Sequence, residues 1–293
     1  MSMCSGRTVI ITGSGGGLGR AYALAFAEQG ANVVVNDIRA EAAQAVVDEI
    51  QASGGQAIAN SDDITTLATA QRIVDAALAA FGEVHVLVNN AGVLRDRMFI
   101  GLSEDDWDTV MRVHLKGHYC LANILGRRWR DLAKAGMPVS ARIINTSSGA
   151  GLQGSVGQSN YSAAKGGIAA LTLVQAAELA RYGVTANALA PAARTAMTES
   201  AMPDVVKKPE DGSFDAWAAE NVAPLVVWLG SEASAHVSGQ VFESQGGRIS
   251  LGDGWRTGAT RDKGALWRVE EVGAAVDGIL AEAPRAQGVW GTA

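Results

Sequence analysis

Cysteine is nearly missing from this sequence: Cys4 and Cys120 are the only two in 293 residues. Two cysteines give no disulfide framework, so packing must hold the fold together, and a reducing compartment is expected. Polybasic runs are missing too. With 24 Lys+Arg against 30 Asp+Glu the net charge is −6, which argues against a nucleic-acid partner, whose phosphates need neutralising. No apolar stretch approaches the roughly 18 residues of a membrane span, and Met1 to Arg7 is too short and polar for a secretory signal. No membrane partner is expected, and the location read from these absences is cytoplasmic. No internal repeat or Pro/Ser-rich linker divides the chain. The 48% of hydrophobic and 18% of charged residues exclude a disordered chain and suffice for one large core.

Glycine, by contrast, is plentiful: 35 residues, well above the usual ~7%. The glycines fall at the ends of periodic segments, where backbone turns sharply or approaches a ligand. Arg7 to Thr12 reads as a buried strand, Arg20 to Gln29 as a helix closed by Gly30, and Asn32 to Ile38 as a second strand. A helix over Glu41 to Gln51, a strand over Gln56 to Asn60, a helix over Leu67 to Phe81 and a strand over Val84 to Val88 follow. Arg142 to Thr146, a long helix near Ser159 to Tyr182, and Val184 to Ala190 continue the alternation. Strands alternating with helices imply right-handed βαβ units, hence a Rossmann-like α/β fold with a doubly wound parallel sheet.

One domain is expected over residues 1–247, including a polar, strand-poor segment at 194–221 that reads as a substrate lid. Residues 248–293 hold Trp255, Trp267 and Trp290, three of the seven tryptophans. They read as a C-terminal extension that folds back onto the domain or onto a partner subunit.

The turn after the first strand is Thr12-Gly13-x-x-x-Gly17-Leu18-Gly19, and it opens a helix. Glycines there let a pyrophosphate reach backbone amides at a helix N-terminus, whose dipole favours negative charge. Asp37 ends the second strand, placed to accept hydrogen bonds from adenosine ribose hydroxyls and to repel the extra phosphate of NADP, so NAD is the expected cofactor. Tyr161 and Lys165 stand at i and i+4, one above the other on a helix face. A phenol is a poor acid or base near neutrality, and a neighbouring ammonium lowers its pKa toward the working range. Ser148 follows a strand's carboxyl end, where open α/β sheets place their ligands, and its hydroxyl can hold a substrate oxygen.

These motifs, with Asn89-Asn90-Ala91-Gly92, resemble the short-chain dehydrogenase/reductase family over roughly residues 7–247. The resemblance implies Tyr161 as general acid/base, Lys165 as its pKa partner and ribose contact, and Ser148 as substrate orienter. It also implies Gly13, Gly17, Leu18 and Gly19 at the phosphates, Asp63 and Ile64 at the adenine, and Asn90, Ala91 and Gly92 along the adenosine. Thr195 would lie near the carboxamide. Three departures stand out. His114 replaces the family's asparagine, which puts the usual proton relay at that position in question. Ala192 replaces a glycine and would restrict the backbone, and Pro191 to Thr195 is one residue short.

Leu94-Arg95-Asp96-Arg97-Met98, Val113-His114-Leu115-Lys116-Gly117 and Val222-Ala223-Pro224-Leu225-Val226 are similar to the (3R)-hydroxyacyl-CoA dehydrogenase unit of peroxisomal multifunctional β-oxidation enzymes, also called a hydroxysteroid dehydrogenase. That resemblance implies oxidation of a (3R)-3-hydroxyacyl-CoA to the 3-ketoacyl-CoA. The alternatives are a 17β-hydroxysteroid dehydrogenase acting on a free steroid, or a non-catalytic NAD-binding protein. Lys207, Lys208, Arg256 and Arg261 are candidates for a CoA phosphate. His114 and His118 share the i, i+4 spacing of a zinc pair, but no third ligand falls on that face and the Tyr-Lys chemistry needs no metal, so none is expected. Small residues along the helix from Ser159, with the family resemblance, point to a homodimer or homotetramer.

Overall fold

The computed structural model describes residues 2–284 and 287–292. An eight-stranded sheet runs in the order β3-β2-β1-β4-β5-β6-β7-β8. β1 (Thr8–Thr12), β2 (Asn32–Asn36), β3 (Gln56–Asn60), β4 (Val86–Asn89), β5 (Ala141–Thr146), β6 (Val184–Pro191) and β7 (Val241–Gln245) are parallel, and β8 (Arg248–Leu251) is antiparallel to β7. β1, β4 and β5 are buried along their whole length, as strands covered on both faces must be, and this is why they read as continuous apolar runs.

Helices cover both faces. α1 (Gly17–Glu28), α2 (Ala40–Ala52) and α9 (Ala223–Gly230) bury Tyr22, Phe26, Val46, Ile50, Val226 and Leu229 on one side. Gly230 lets α9 close on α1, since a Cβ there would lie 2.5 Å from the Phe26 ring. α3 (Leu67–Phe81), α5 (Gly117–Lys134) and α7 (Ser159–Leu179) bury Ile73, Leu121, Leu125 and Trp129 on the other. Trp129 satisfies its indole N–H on the Val84 carbonyl at 2.8 Å, as a buried tryptophan must. α4 (Glu104–Met111) runs into α5 through one π-helical turn, Arg112–Lys116. The order of β3-β2-β1 against β4-β5-β6 reverses between β1 and β4, the switch point at whose strand carboxyl ends open α/β sheets place their ligand crevice.

The expected segments at Gln56–Asn60 and Leu67–Phe81 fall on β3 and α3 without shift. The first helix begins at Gly17 rather than Arg20, because the last part of the glycine turn already supplies its first turn. Gly30, with φ +79, closes it. The long helix expected to Tyr182 ends at Leu179 and finishes in a 3-10 turn, Ala180–Tyr182. A hairpin crosses the expected boundary at 247/248: β7 and β8 pair around Gly246, whose φ is +54. The second arm was hidden because Arg248, Ile249 and Leu251 are exposed and carry no buried alternation.

Within 194–221 lie the short helix α8 (Ala196–Ala201) and a 3-10 turn. Arg194 ties this segment together, donating to the Val206 carbonyl at 2.8 Å and pairing with Asp215. Beyond β8, α10 (Val269–Glu282) buries none of its residues. The extension nonetheless returns to the domain. Trp290 bridges to Ser155, accepting from Val156 N at 2.9 Å and donating to the Gly154 carbonyl at 3.2 Å.

Candidate active site

The crevice floor is built by mutual support among backbone loops. Thr12, the last residue of β1, accepts from the N–H groups of both Asn90 and Ala91 on its Oγ1, at 3.0 Å each. Asn90 answers by donating its side-chain amide to the carbonyls of Thr12 (3.0 Å) and Gly13 (3.2 Å). Two turns from different strands are thereby locked together. Gly13 has φ +64, and a Cβ there would meet Ala91 Cα at 2.7 Å; at Gly19 one would meet the Gly13 carbonyl at 2.4 Å and Asn90 Nδ2 at 2.7 Å. Only glycine fits either position. The N-terminus of α1 carries no side-chain cap, so its backbone amides suit a pyrophosphate. Leu18 turns inward against the core, and Gly17 faces the Thr195 methyl, so the expected Thr195 is beside the turn.

Asp37 sits at the end of β2, 6% exposed. It accepts from Gly15 N at 3.0 Å and from Arg39 at its backbone N (3.0 Å) and Nε (3.1 Å). A carboxylate is thus fixed at the rim of the same turn. Asp63 accepts from Thr65 N (2.9 Å) and Thr65 Oγ1 (2.7 Å), and Ile64 is buried against Gly117. These residues shape the β3 side of the crevice, with the Asp63 carboxylate already engaged locally. Ala91 and Gly92 continue the β4 side. The donor set suits a dinucleotide: a fixed carboxylate at Asp37, a glycine turn opening α1, and Thr195 beside Gly17. Ala192 is accommodated without strain, because no non-glycine residue takes a positive φ among the described residues; its N–H donates to the Ser244 carbonyl at 2.9 Å.

The Tyr161–Lys165 pair stands on the first turns of α7. Lys165 Nζ lies 5.5 Å from the centre of the Tyr161 ring and donates to the Thr146 carbonyl at 2.6 Å. Lys165 is buried, and burial alone pushes its ammonium down to about 7. Burial also pushes the Tyr161 phenol up; the Ser148 hydroxyl pulls it partly back, and the Asp96 carboxylate adds a small upward push. Ser148 caps α6 (Gly149–Gln153), accepting from Ala150 N at 3.2 Å. Asn160 anchors the start of α7 by donating to the Arg95 and Asp106 carbonyls at 3.0 and 3.3 Å. The three expected catalytic residues are thus brought together.

His114 differs from a free relay group: its Nε2 is taken up by Val93, 3.0 Å from the N and 2.8 Å from the carbonyl. No group of three metal-ligating side chains gathers among the described residues. The candidate CoA contacts Lys207, Arg256 and Arg261 are each paired with a carboxylate, Glu210, Asp253 and Glu282. Sequence reasoning missed two features. The Arg194–Asp215 clamp was not foreseen because its partners are 21 residues apart in a segment without periodicity. Trp290 was singled out, but not its place: its indole lies against Gly149, next to Ser148, where a Cβ would sit 2.2 Å from the ring.

A doubly wound sheet with a nucleotide crevice at its switch point and a Ser-Tyr-Lys group beside it defines an oxidoreductase. The chain belongs to the short chain dehydrogenase family, whose family model matches residues 7–205. It is 47% identical over 257 residues to hydroxyacyl-CoA dehydrogenase ChsB1 of Mycobacterium tuberculosis, covering 84% of this chain and 80% of that one. It is 42% identical over 259 residues to peroxisomal multifunctional enzyme type 2 of Mus musculus, covering 85% of this chain but only 32% of that protein. The fold matches the crystal structure of a short chain dehydrogenase from Mycobacterium avium with a TM-score of 0.91 and 51% identity, over 99% of this chain and 100% of that one. Membership of this family implies a nicotinamide cofactor and a small-molecule substrate. No described helix is long and apolar enough to cross a membrane.

Proposed function

We propose that this chain is an NAD-dependent dehydrogenase that oxidises a (3R)-3-hydroxyacyl-CoA to the 3-ketoacyl-CoA. The observation that carries the substrate class is the match, over four-fifths of its length, to a protein named as a hydroxyacyl-CoA dehydrogenase. The choice of NAD rests on Asp37: a fixed carboxylate at the rim of the turn accepts ribose hydroxyls and repels a 2′-phosphate. Gly13, Gly17, Leu18 and Gly19 hold the pyrophosphate in this reading. Asp63 and Ile64 border the adenine, Asn90, Ala91 and Gly92 follow the adenosine, and Thr195 meets the carboxamide.

The nicotinamide, when bound, supplies the hydride acceptor. Every other part of the step belongs to the chain. The Ser148 hydroxyl holds the substrate oxygen in place. Tyr161 Oη takes the alcohol proton as the C–H electron pair leaves, and the positive form of Lys165 stabilises the phenolate that accepts it. The apolar wall of Trp290 beside Ser148 and the clamped 194–221 segment keep water from the reacting carbon. The reading includes a homodimer or homotetramer, supported by Leu173 and Val174, each half exposed on α7, and a cytoplasmic location, supported by two free buried thiols.

The test is NADH or NADPH formation at fixed pH with a (3R)-3-hydroxyacyl-CoA and a free 17β-hydroxysteroid side by side, each with NAD and with NADP. A large preference in kcat/KM for the thioester with NAD is expected. Preference for the free steroid would replace the substrate class and leave the family and the catalytic group intact.

A further inference from the structure

Behind the Tyr161–Lys165 pair lie two buried imidazoles that the chemistry above leaves unused. His114 and His118 stand one turn apart, His114 inside the π-helical turn and His118 just beyond it on α5. Single π turns within α-helices are uncommon and cluster at functional sites. His114 presents its ring edge-on to Tyr161, with centroids 5.2 Å apart and planes at 88°. It is held there by Val93 through Nε2. Gly92 makes room for it, since a Cβ at Gly92 would lie 2.3 Å from His114 Cε1. His118 is fully buried, and its Nε2 accepts from Thr146 N at 3.4 Å. The carbonyl of that same Thr146 is the one that receives the Lys165 ammonium at 2.6 Å. The Nδ1 atoms of both rings are buried without a partner.

Both rings are neutral at working pH. Burial drives His114 down to about 3, and drives His118 well below its usual range; the Lys165 charge pushes each the same way. Neutrality matters for the geometry, because only an uncharged imidazole can accept the Thr146 N–H. Of the titratable groups facing the pair (His114, His118 and Asp96), neither imidazole is a cation that would compete with Lys165.

We propose that His114 and His118 are positioning residues for the acid/base pair. His114 sets the tilt of the phenol ring, and His118 sets the ammonium by fixing the backbone of Thr146 at its N–H, each as a neutral imidazole. This rests on the reading of Tyr161 and Lys165 as acid/base, but not on the identity of the alcohol, so any alcohol that the wild-type chain turns over serves for the test.

His118→Phe removes the acceptor, and His118→Gln retains one. His114→Ala removes the ring, and His114→Phe retains an edge against Tyr161. Misplacing a reacting group by about 1 Å costs on the order of 100-fold. His118→Phe and His114→Ala should therefore lower kcat by about 10- to 100-fold, with the KM for NAD within about 3-fold of wild type. His118→Gln and His114→Phe should recover most of that loss. The midpoint of the pH profile for oxidation should move downward in His118→Phe, because the ammonium loses its fixed carbonyl. A chelator should change nothing.

The proposal is overturned if the folded variants keep wild-type kcat and pH midpoint, or if kcat falls together with NAD affinity at an unmoved midpoint, the mark of general loosening. It is also overturned if added zinc activates the wild-type chain. Should His118→Phe fail to fold, His118→Gln against the His114 pair decides the question by the same readouts.

Discussion

The two sides of the crevice are made differently. On the nucleotide side, Thr12 and Asn90 hold each other and the Gly13 carbonyl, Asp37 holds Gly15 N, and Gly13 and Gly19 leave no slack for a methyl group. In the proposed lid and the C-terminal extension, by contrast, Phe214, Trp255 and Leu266 stand largely in solvent, α10 buries nothing, and surface ion pairs such as Lys263–Glu271 tie the extension to itself. Exposed ion pairs contribute little to stability. The nucleotide side is therefore ready before its ligand arrives, whereas the substrate side draws on the low-stability part of the molecule, from which binding segments are generally taken. Ser148, Tyr161 and Lys165 lie where the two meet.

This contrast can be broken at several points. The largest effect is expected for Tyr161→Phe, which removes the proton acceptor and should lower kcat by about 100- to 10,000-fold. NAD affinity, measured by fluorescence titration, should change little, since the cradle is untouched. Next comes Gly19→Ala. Its methyl would press on the Gly13 carbonyl and Asn90, an overpacking cost of about 1–3 kcal/mol. The Kd for NAD should rise by roughly 10- to 100-fold, with the substrate KM nearly constant.

The pH dependence follows from the buried pair. Because burial lowers Lys165 to about 7 and raises Tyr161, the pair carries two protons in acid and loses the first near 7. That proton belongs to the pair rather than to either residue. Oxidation needs the singly protonated pair to accept the alcohol's proton, so its kcat/KM should rise with pH through about 7 and then level. Ketone reduction should fall across the same interval. Trp290→Ala should have the smallest effect: a rise of a few-fold in substrate KM, with the KM for NAD unchanged. An equal change in both would erase the division between the sides.

The same division governs how much the sequence reveals. β1, β4, the glycine turn and Asp37 are legible because a strand buried on both faces is apolar throughout, and a turn that admits no Cβ must be glycine. The Tyr161–Lys165 spacing is legible because helix geometry fixes what faces what. The Arg194–Asp215 clamp, β8 and the seat of Trp290 on Gly149 are not. They depend on contacts between distant segments with exposed, aperiodic residues, where neither period nor turn chemistry leaves a mark. His114 and His118 fall between: their i, i+4 spacing is visible, but only the fold shows that each ring's Nε2 is taken by backbone, which is why the spacing resembles a zinc pair.

The most direct test of this two-sided construction is hydrogen exchange on the whole chain, without and with NAD. Amides around Thr12 to Gly19 and Asn89 to Gly92 should already be protected without cofactor and gain little from it. Those in 203–221 and 253–284 should exchange quickly in both states and slow only when substrate is added. Fast exchange throughout the glycine turn, abolished by NAD, would contradict it, showing that the nucleotide side is formed by its ligand rather than built in advance.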